Sequence, residues 1–155
     1  MKTLKYFLTL FAVLSVYVST FALPTSASAA PLAIPGCFGA TCNFKDPMTM
    51  GCDADAYTVS LAEIPGVVRA AVRYSPSCQA AWARGVNLSF VYGRTITAQI
   101  LRSDGTFTSR LAYYPNSAIT SLMLYVGANT VKATATLQES NGQIVNIVST
   151  GFVHP

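Results

Sequence analysis

The chain has 155 residues, with ten basic and six acidic side chains, and a formal net charge of +4 at pH 7. That charge is too small and too scattered to be a nucleic-acid footprint, and no nucleic-acid partner is expected. Only 10% of the residues are charged, so threonine, serine, asparagine and glutamine must supply most of the solubility.

Residues 1–29 read as an export signal. Lys2 and Lys5 precede an apolar run from Phe7 to Leu23, then Pro24 and small residues. Ala27-Ser28-Ala29 fits the small-x-small pattern of a signal-peptide cleavage site, which places the mature start near Ala30. The run is nearly long enough to span a bilayer as an anchor, but Ser15, Ser19, Thr20 and the break at Pro24 favour cleavage. Membrane contact is therefore expected only through the signal segment before cleavage. Residues 30–155 are the size of one secreted domain with a single core. The net charge falls to +2 once Lys2 and Lys5 are gone, enough for mild attraction to anionic wall polymers or membrane surfaces.

Cys37, Cys42, Cys52 and Cys78 all lie beyond the cleavage site. An even count in an exported chain predicts two disulfides, with three possible connectivities. Cys37–Cys42 with Cys52–Cys78 is favoured: the first closes the tight FGAT loop, and the second ties the start of the domain to RYSPSCQAAWARG. Zinc is the competing reading, but C-x4-C-x9-C-x25-C has no second close pair and no nearby histidine. No metal and no cofactor is expected.

In RYSPSCQAAWARG, Ser75 suits a helix cap, Pro76 the first helical position and Gly85 a terminator. A short helix is predicted there, with Cys78 and Trp82 four apart on its inward face beside Ala81. A catalytic Cys78 would need a base. The chain's single histidine, His154, is penultimate, so the thiol reads as structural.

From residue 66 the dominant period is two. Val68, Ala70, Val72 and Tyr74 alternate with Arg69, Ala71 and Arg73, the pattern of a half-buried strand. Leu88, Phe90 and Tyr92 share a parity that Ile96, Ala98 and Ile100 continue beyond a bulge or bend at Gly93-Arg94. Asp104-Gly105 and Asn141-Gly142 signal hairpins. The apolar run ITSLMLYV predicts a central strand. Gly127-Ala128-Asn129 turns the chain into VKATATLQ, whose Val131, Ala133, Ala135 and Leu137 alternate with polar residues. About seven short strands predict a mostly β fold, a small antiparallel sandwich or barrel. Residues 36–64 are expected to pack on it as a loop-rich, disulfide-bearing flap.

Candidate chemistry is sparse. Asp53 and Asp55, with Asp46 and Glu63 near in sequence, could supply oxygen ligands to a divalent cation, but no ligand loop surrounds them. Turn-capping by side-chain to backbone bonds is the expected role of Asp53 and Asp55. As a pair of carboxylates, Asp53, Asp55 or Glu63 could alternatively serve a small hydrolase. Asn87-Leu88-Ser89 matches a glycosylation sequon. Of the aromatic residues Tyr57, Tyr74, Trp82, Tyr92, Tyr113, Tyr114 and Tyr125, most fall at core parity, and Tyr113-Tyr114 is the best exposed binding candidate. Arg69, Arg73 and Arg84 could form a basic patch on the wet strand face. Phosphate-cradling glycine loops and a G-x-S-x-G elbow are absent from the sequence.

CFGATC, KDPMTMGCDADAYTV and VRYSPSCQAAWAR, in that order, make residues 37 to 84 resemble the family of small exported bacterial proteins called domain of unknown function 2690. TSLMLYVGANTVKATA resembles the family's later strand pair more loosely. Some relatives carry a cysteine near the position of Thr134, so their later disulfide does not transfer. The resemblance implies export, mostly from Gram-positive bacteria, and an extracellular role with no catalytic residues to carry over. The expected function is a secreted binding or structural module whose partner is a wall polymer, a carbohydrate or a protein. The alternatives are the small hydrolase above and an extracellular inhibitor or toxin presenting FGAT or TSRLAYYPN.

Overall fold

Alternation of period two builds most of the chain. The computed structural model describes residues 35–113 and 117–155; the expected signal segment and Tyr114 lie outside them. Within them are nine strands: β1 (Tyr57–Ile64), β2 (Val68–Ser75), β3 (Ala80–Asn87), β4 (Thr95–Arg102), β5 (Phe107–Ala112), β6 (Ala118–Thr120), β7 (Leu124–Tyr125), β8 (Val131–Gln138) and β9 (Ile144–Ser149). The first sheet runs β1-β2-β3-β6, with β7 also on β3, and the second runs β5-β4-β8-β9. Every pairing between these strands is antiparallel. The sheets form an open sandwich and do not close into a barrel.

Alternating small apolar residues fill the space between the sheets. Val68, Ala70 and Val72 of β2 and Ala81 and Ala83 of β3 meet Ile96, Ala98 and Ile100 of β4 and Val131, Ala133, Ala135 and Leu137 of β8. So many alanines let the sheets approach closely. Gly85 completes that approach. A Cβ there would come within 3.1 Å of Ala98 Cβ and 3.4 Å of Ile96 Cδ1. Gly85→Ala is expected to cost roughly 1–2 kcal/mol net, because overpacking outweighs the gain from a stiffer unfolded chain. Denaturant melts of the two proteins would show it.

The predicted helix over residues 75–85 is not there. Tyr74 pairs with Ala81 and Arg73 with Trp82, so β2 and β3 form a hairpin whose turn spans residues 76–79. Ser75 does cap, but it caps that turn: its Oγ accepts the Cys78 N–H at 3.2 Å. Helical periodicity loses because β3 is buried on both faces from Ala80 to Ala83. Ala81 and Ala83 face the inter-sheet core, while Ala80 and Trp82 face a second cluster with Cys42, Cys52, Cys78 and Met123. Four is a multiple of two, so Cys78 and Trp82 still share a side. Among the described residues the helical content is one 3-10 turn, Gly39–Cys42.

ITSLMLYV is not a central strand either. It breaks into β6 and β7 on the outer side of β3. At the break Ser121 Oγ accepts the Ala83 N–H at 2.9 Å, and Met123 exchanges backbone hydrogen bonds with Phe44 and Lys45. Its apolar residues are continuous because Met123 enters the cysteine cluster while Leu124 enters the main core. Two other strand pairs are irregular, at Thr58/Ser60 of β1 and Leu137/Gln138 of β8. The flap is loop-rich up to Ala56, but its last eight residues are strand β1.

Two carboxylates hold the flap. Asp46 accepts the Met48 and Thr49 N–H groups and pairs with Arg110 of β5. Asp55 accepts Ser75 Oγ–H at 2.6 Å and the Ser77 N–H at 2.8 Å. Burial opposes their ionisation, but these hydrogen bonds, with the Arg110 charge for Asp46, outweigh it and hold both below the ordinary 3.8. Both folded values are depressed, so the stability they contribute is complete above about pH 4 and is lost as pH falls through the lowered values. Asp46→Asn and Asp55→Asn should be less stable than wild type near neutral pH, and unfolding monitored at Trp82 should show that deficit shrinking as pH falls through the lowered values.

Candidate functional site

On the outer face of the first sheet, odd residues of β2 stand beside even residues of β3. This brings Arg69, Ala71 and Arg73 against Val86, Arg84 and Trp82. Two hollows open along this face. The larger, about 390 Å³, runs from Asp53 and Met48 across Arg73 and Trp82 to Thr120 of β6. The smaller, about 190 Å³, lies between Leu61 and Thr58 of β1 and Val86 of β3. Arg84 lines both.

The three arginines are not equivalent. Arg69 pairs with Glu63 across the β1–β2 ladder. Arg73 donates to Thr58 Oγ1 at 3.1 Å and to the Ala56 carbonyl at 2.6 Å. Arg84 is exposed and has no ion pair or hydrogen bond to its side chain among the described residues. Arg69 and Arg73 are therefore committed to β1 and the residue before it, and Arg84 is uncommitted. Nothing in the sequence ranks them, because the ranking comes from which one faces a partner across the ladder.

The carboxylates do not converge. Asp53 is exposed and lines the larger hollow. Asp55 holds the β2–β3 turn, and Glu63 sits near the far end of β1, on the order of 20 Å along the strand. The capping role expected of Asp55 is present, although it caps a turn distant in sequence. Tyr113 is 67% exposed at the end of β5 and lines neither hollow, so it does not join Arg69 and Arg73 in one site.

Phe90 and Tyr92 do not continue the inward parity of Leu88. Strand β3 ends at Asn87, and the two rings are 81% and 85% exposed on the β3–β4 loop. The sequon is closed as well. Asn87 is fully buried, and its Oδ1 accepts both the N–H and the Oγ–H of Ser89. His154 lines a separate hollow of about 220 Å³ with Tyr74, Gln79 and Tyr125, its Nε2 lying 3.1 Å from the Gly127 carbonyl oxygen.

Beneath the larger hollow lies the sulfur cluster. Disulfides join Cys37 to Cys42 and Cys52 to Cys78, and no cysteine is free among the described residues. Trp82 packs with them, 1% exposed, and forms the floor between sulfur and groove. A covalent anchor thus adjoins the arginine face at its β2–β3 turn end. No helix among the described residues is long and apolar enough to cross a membrane.

No curated protein and no solved structure matches the chain. One family model does, that of the proteins of unknown function designated DUF2690, over residues 40–135, from the 3-10 turn through most of β8. That match spans Cys42, Cys52 and Cys78, the arginine face and strands β1 to β7, and it establishes that the chain belongs to the DUF2690 family.

Proposed function

We propose that this protein is a secreted, non-enzymatic binding module that holds an anionic polymer of the cell envelope on the outer face of its first sheet. The uncommitted Arg84 carries this reading. It stands between two hollows on a rigid strand, with Arg73 and Arg69 alongside to raise the local positive potential. A guanidinium with five donors suits phosphate or carboxylate groups repeated along a polymer. Export is supported by the signal-like first 29 residues and by two disulfides, which persist in oxidising compartments. A hydrolase reading finds no support in the separated Asp53, Asp55 and Glu63.

The purified mature protein is expected to be retained on isolated cell wall and released by raised salt, since the contact is partly exposed. Arg84→Ala should weaken retention about tenfold or more, the loss of one charge-assisted contact of ~1.5 kcal/mol. Unfolding of the variant should be unchanged. Equal retention of Arg84→Ala and wild type would overturn this reading.

A further inference from the structure

We propose that the four cysteines have a second state, in which reduction of both disulfides creates a tetrathiolate site for one zinc ion. The linear spacing of the cysteines shows no such site, because the ligands come from separate turns. Folding brings Cys37, just before the 3-10 turn, Cys42 at its end, the turn at Cys52 and the β2–β3 turn together. All four Sγ atoms lie within 4.8 Å of one another, and Cys37 Sγ lies 3.8 Å from Cys52 Sγ across the two disulfides. Zinc bound to four sulfurs at ~2.3 Å sets them ~3.8 Å apart in a tetrahedron. The Cys37–Cys52 spacing already has that value, and no other pair is more than 4.8 Å apart. Each bonded pair opens once its S–S bond is cleaved.

The surroundings favour a soft cation. Cys42, Cys52 and Cys78 are fully buried beside Ala80, Trp82 and Met123, with Cys37 half-exposed as the entry point. Sulfur without oxygen ligands selects zinc over magnesium or calcium. The turns are also held without sulfur: the Gly39 N–H bonds the Cys78 carbonyl at 2.9 Å and the Cys52 N–H bonds the Pro47 carbonyl at 2.9 Å. The ligand backbones therefore keep their places when the disulfides open.

The chemistry balances with a dithiol reductant. Two dithiol molecules become two cyclic disulfides, and four electrons and four protons convert both protein disulfides to four thiols. Metal binding then releases the four thiol protons to solvent. A disulfide oxidant reverses the exchange and expels the ion.

Trp82, the single tryptophan of the chain, reports on the cluster. Mature protein reduced anaerobically should bind one equivalent of Co2+, used as the spectroscopic probe, with the absorption of a tetrahedral thiolate complex and quenching of Trp82. Zinc should displace the cobalt, and the β-sheet circular dichroism should be kept or restored. The oxidised protein should bind neither. Cys37→Ser, which leaves Cys52–Cys78 available for folding, should bind at least tenfold more weakly after reduction. Three results would each overturn the proposal: no thiolate band at one equivalent, a band without sheet signal, or undiminished binding by Cys37→Ser.

Discussion

Replacing both Cys52 and Cys78 with alanine is expected to lower the free energy of unfolding by about 3–4 kcal/mol, the loop-closure entropy released by cutting a cross-link of this span. The residues are 26 apart in sequence, and the bridge joins the flap to the β2–β3 turn. Cys37 and Cys42 are only 5 apart, so their double replacement should cost about 2 kcal/mol on the same model. Alanine avoids stranding a hydroxyl in the buried cluster, where an unsatisfied polar group would add its own penalty. Denaturant unfolding of the two double variants, with m-values compared, tests the ordering. A smaller loss for Cys52/Cys78 than for Cys37/Cys42 would mean that native strain, not chain entropy, dominates the longer bridge.

Trp82→Ala should cost about 3–5 kcal/mol, the range for deleting a large aromatic side chain from a packed interior. Trp82 is among the largest fully buried side chains, and it closes the cluster of Cys42, Cys52, Cys78, Ala80 and Met123. Both neighbouring strands are fixed by their ladders, so the gap cannot readily collapse. Because Trp82 packs against the disulfide, its loss and that of Cys52–Cys78 should not add. A double-mutant cycle should give a coupling of about 0.5 kcal/mol or more. Strict additivity would show that the ring and the bridge act independently.

The sandwich is legible wherever one face is wet. Val68 to Arg73 and Val131 to Gln138 alternate, and both hairpins marked by Asp104-Gly105 and Asn141-Gly142 form. Segments buried on two sides are illegible. Ala80 to Ala83 has no polar face to reveal its period, and capping residues at Ser75-Pro76 then favour the wrong element. The run from Ile119 to Val126 serves two clusters in turn, so continuous apolarity hides an interruption. Phe90 and Tyr92 look like core by composition, yet the chain must cross between sheets there and carries them outward.

The candidate site shows the same divide. Arg69 and Arg73 on the wet face of β2 follow directly from parity, whereas Arg84 falls within the predicted helix and its place on β3 does not. Which arginine stays uncommitted depends on Glu63, Thr58 and Ala56 across the ladder, and register of that kind is written in pairings, not in any one segment. Loop length is enough to favour the cysteine pairing, whereas the contact between the two bridges needs the fold.

The interruptions in these sheets also bear on self-association. An outermost strand with a long, flat row of unpaired amides invites strand addition from a neighbouring molecule. Here β1 is irregular at Thr58/Ser60, β6 and β7 are short and separated, the β8–β9 ladder shifts near its start, and β5 turns the charge of Arg110 inward toward Asp46. Each rim is a poor template for another copy, a useful property for a β protein with few charged side chains.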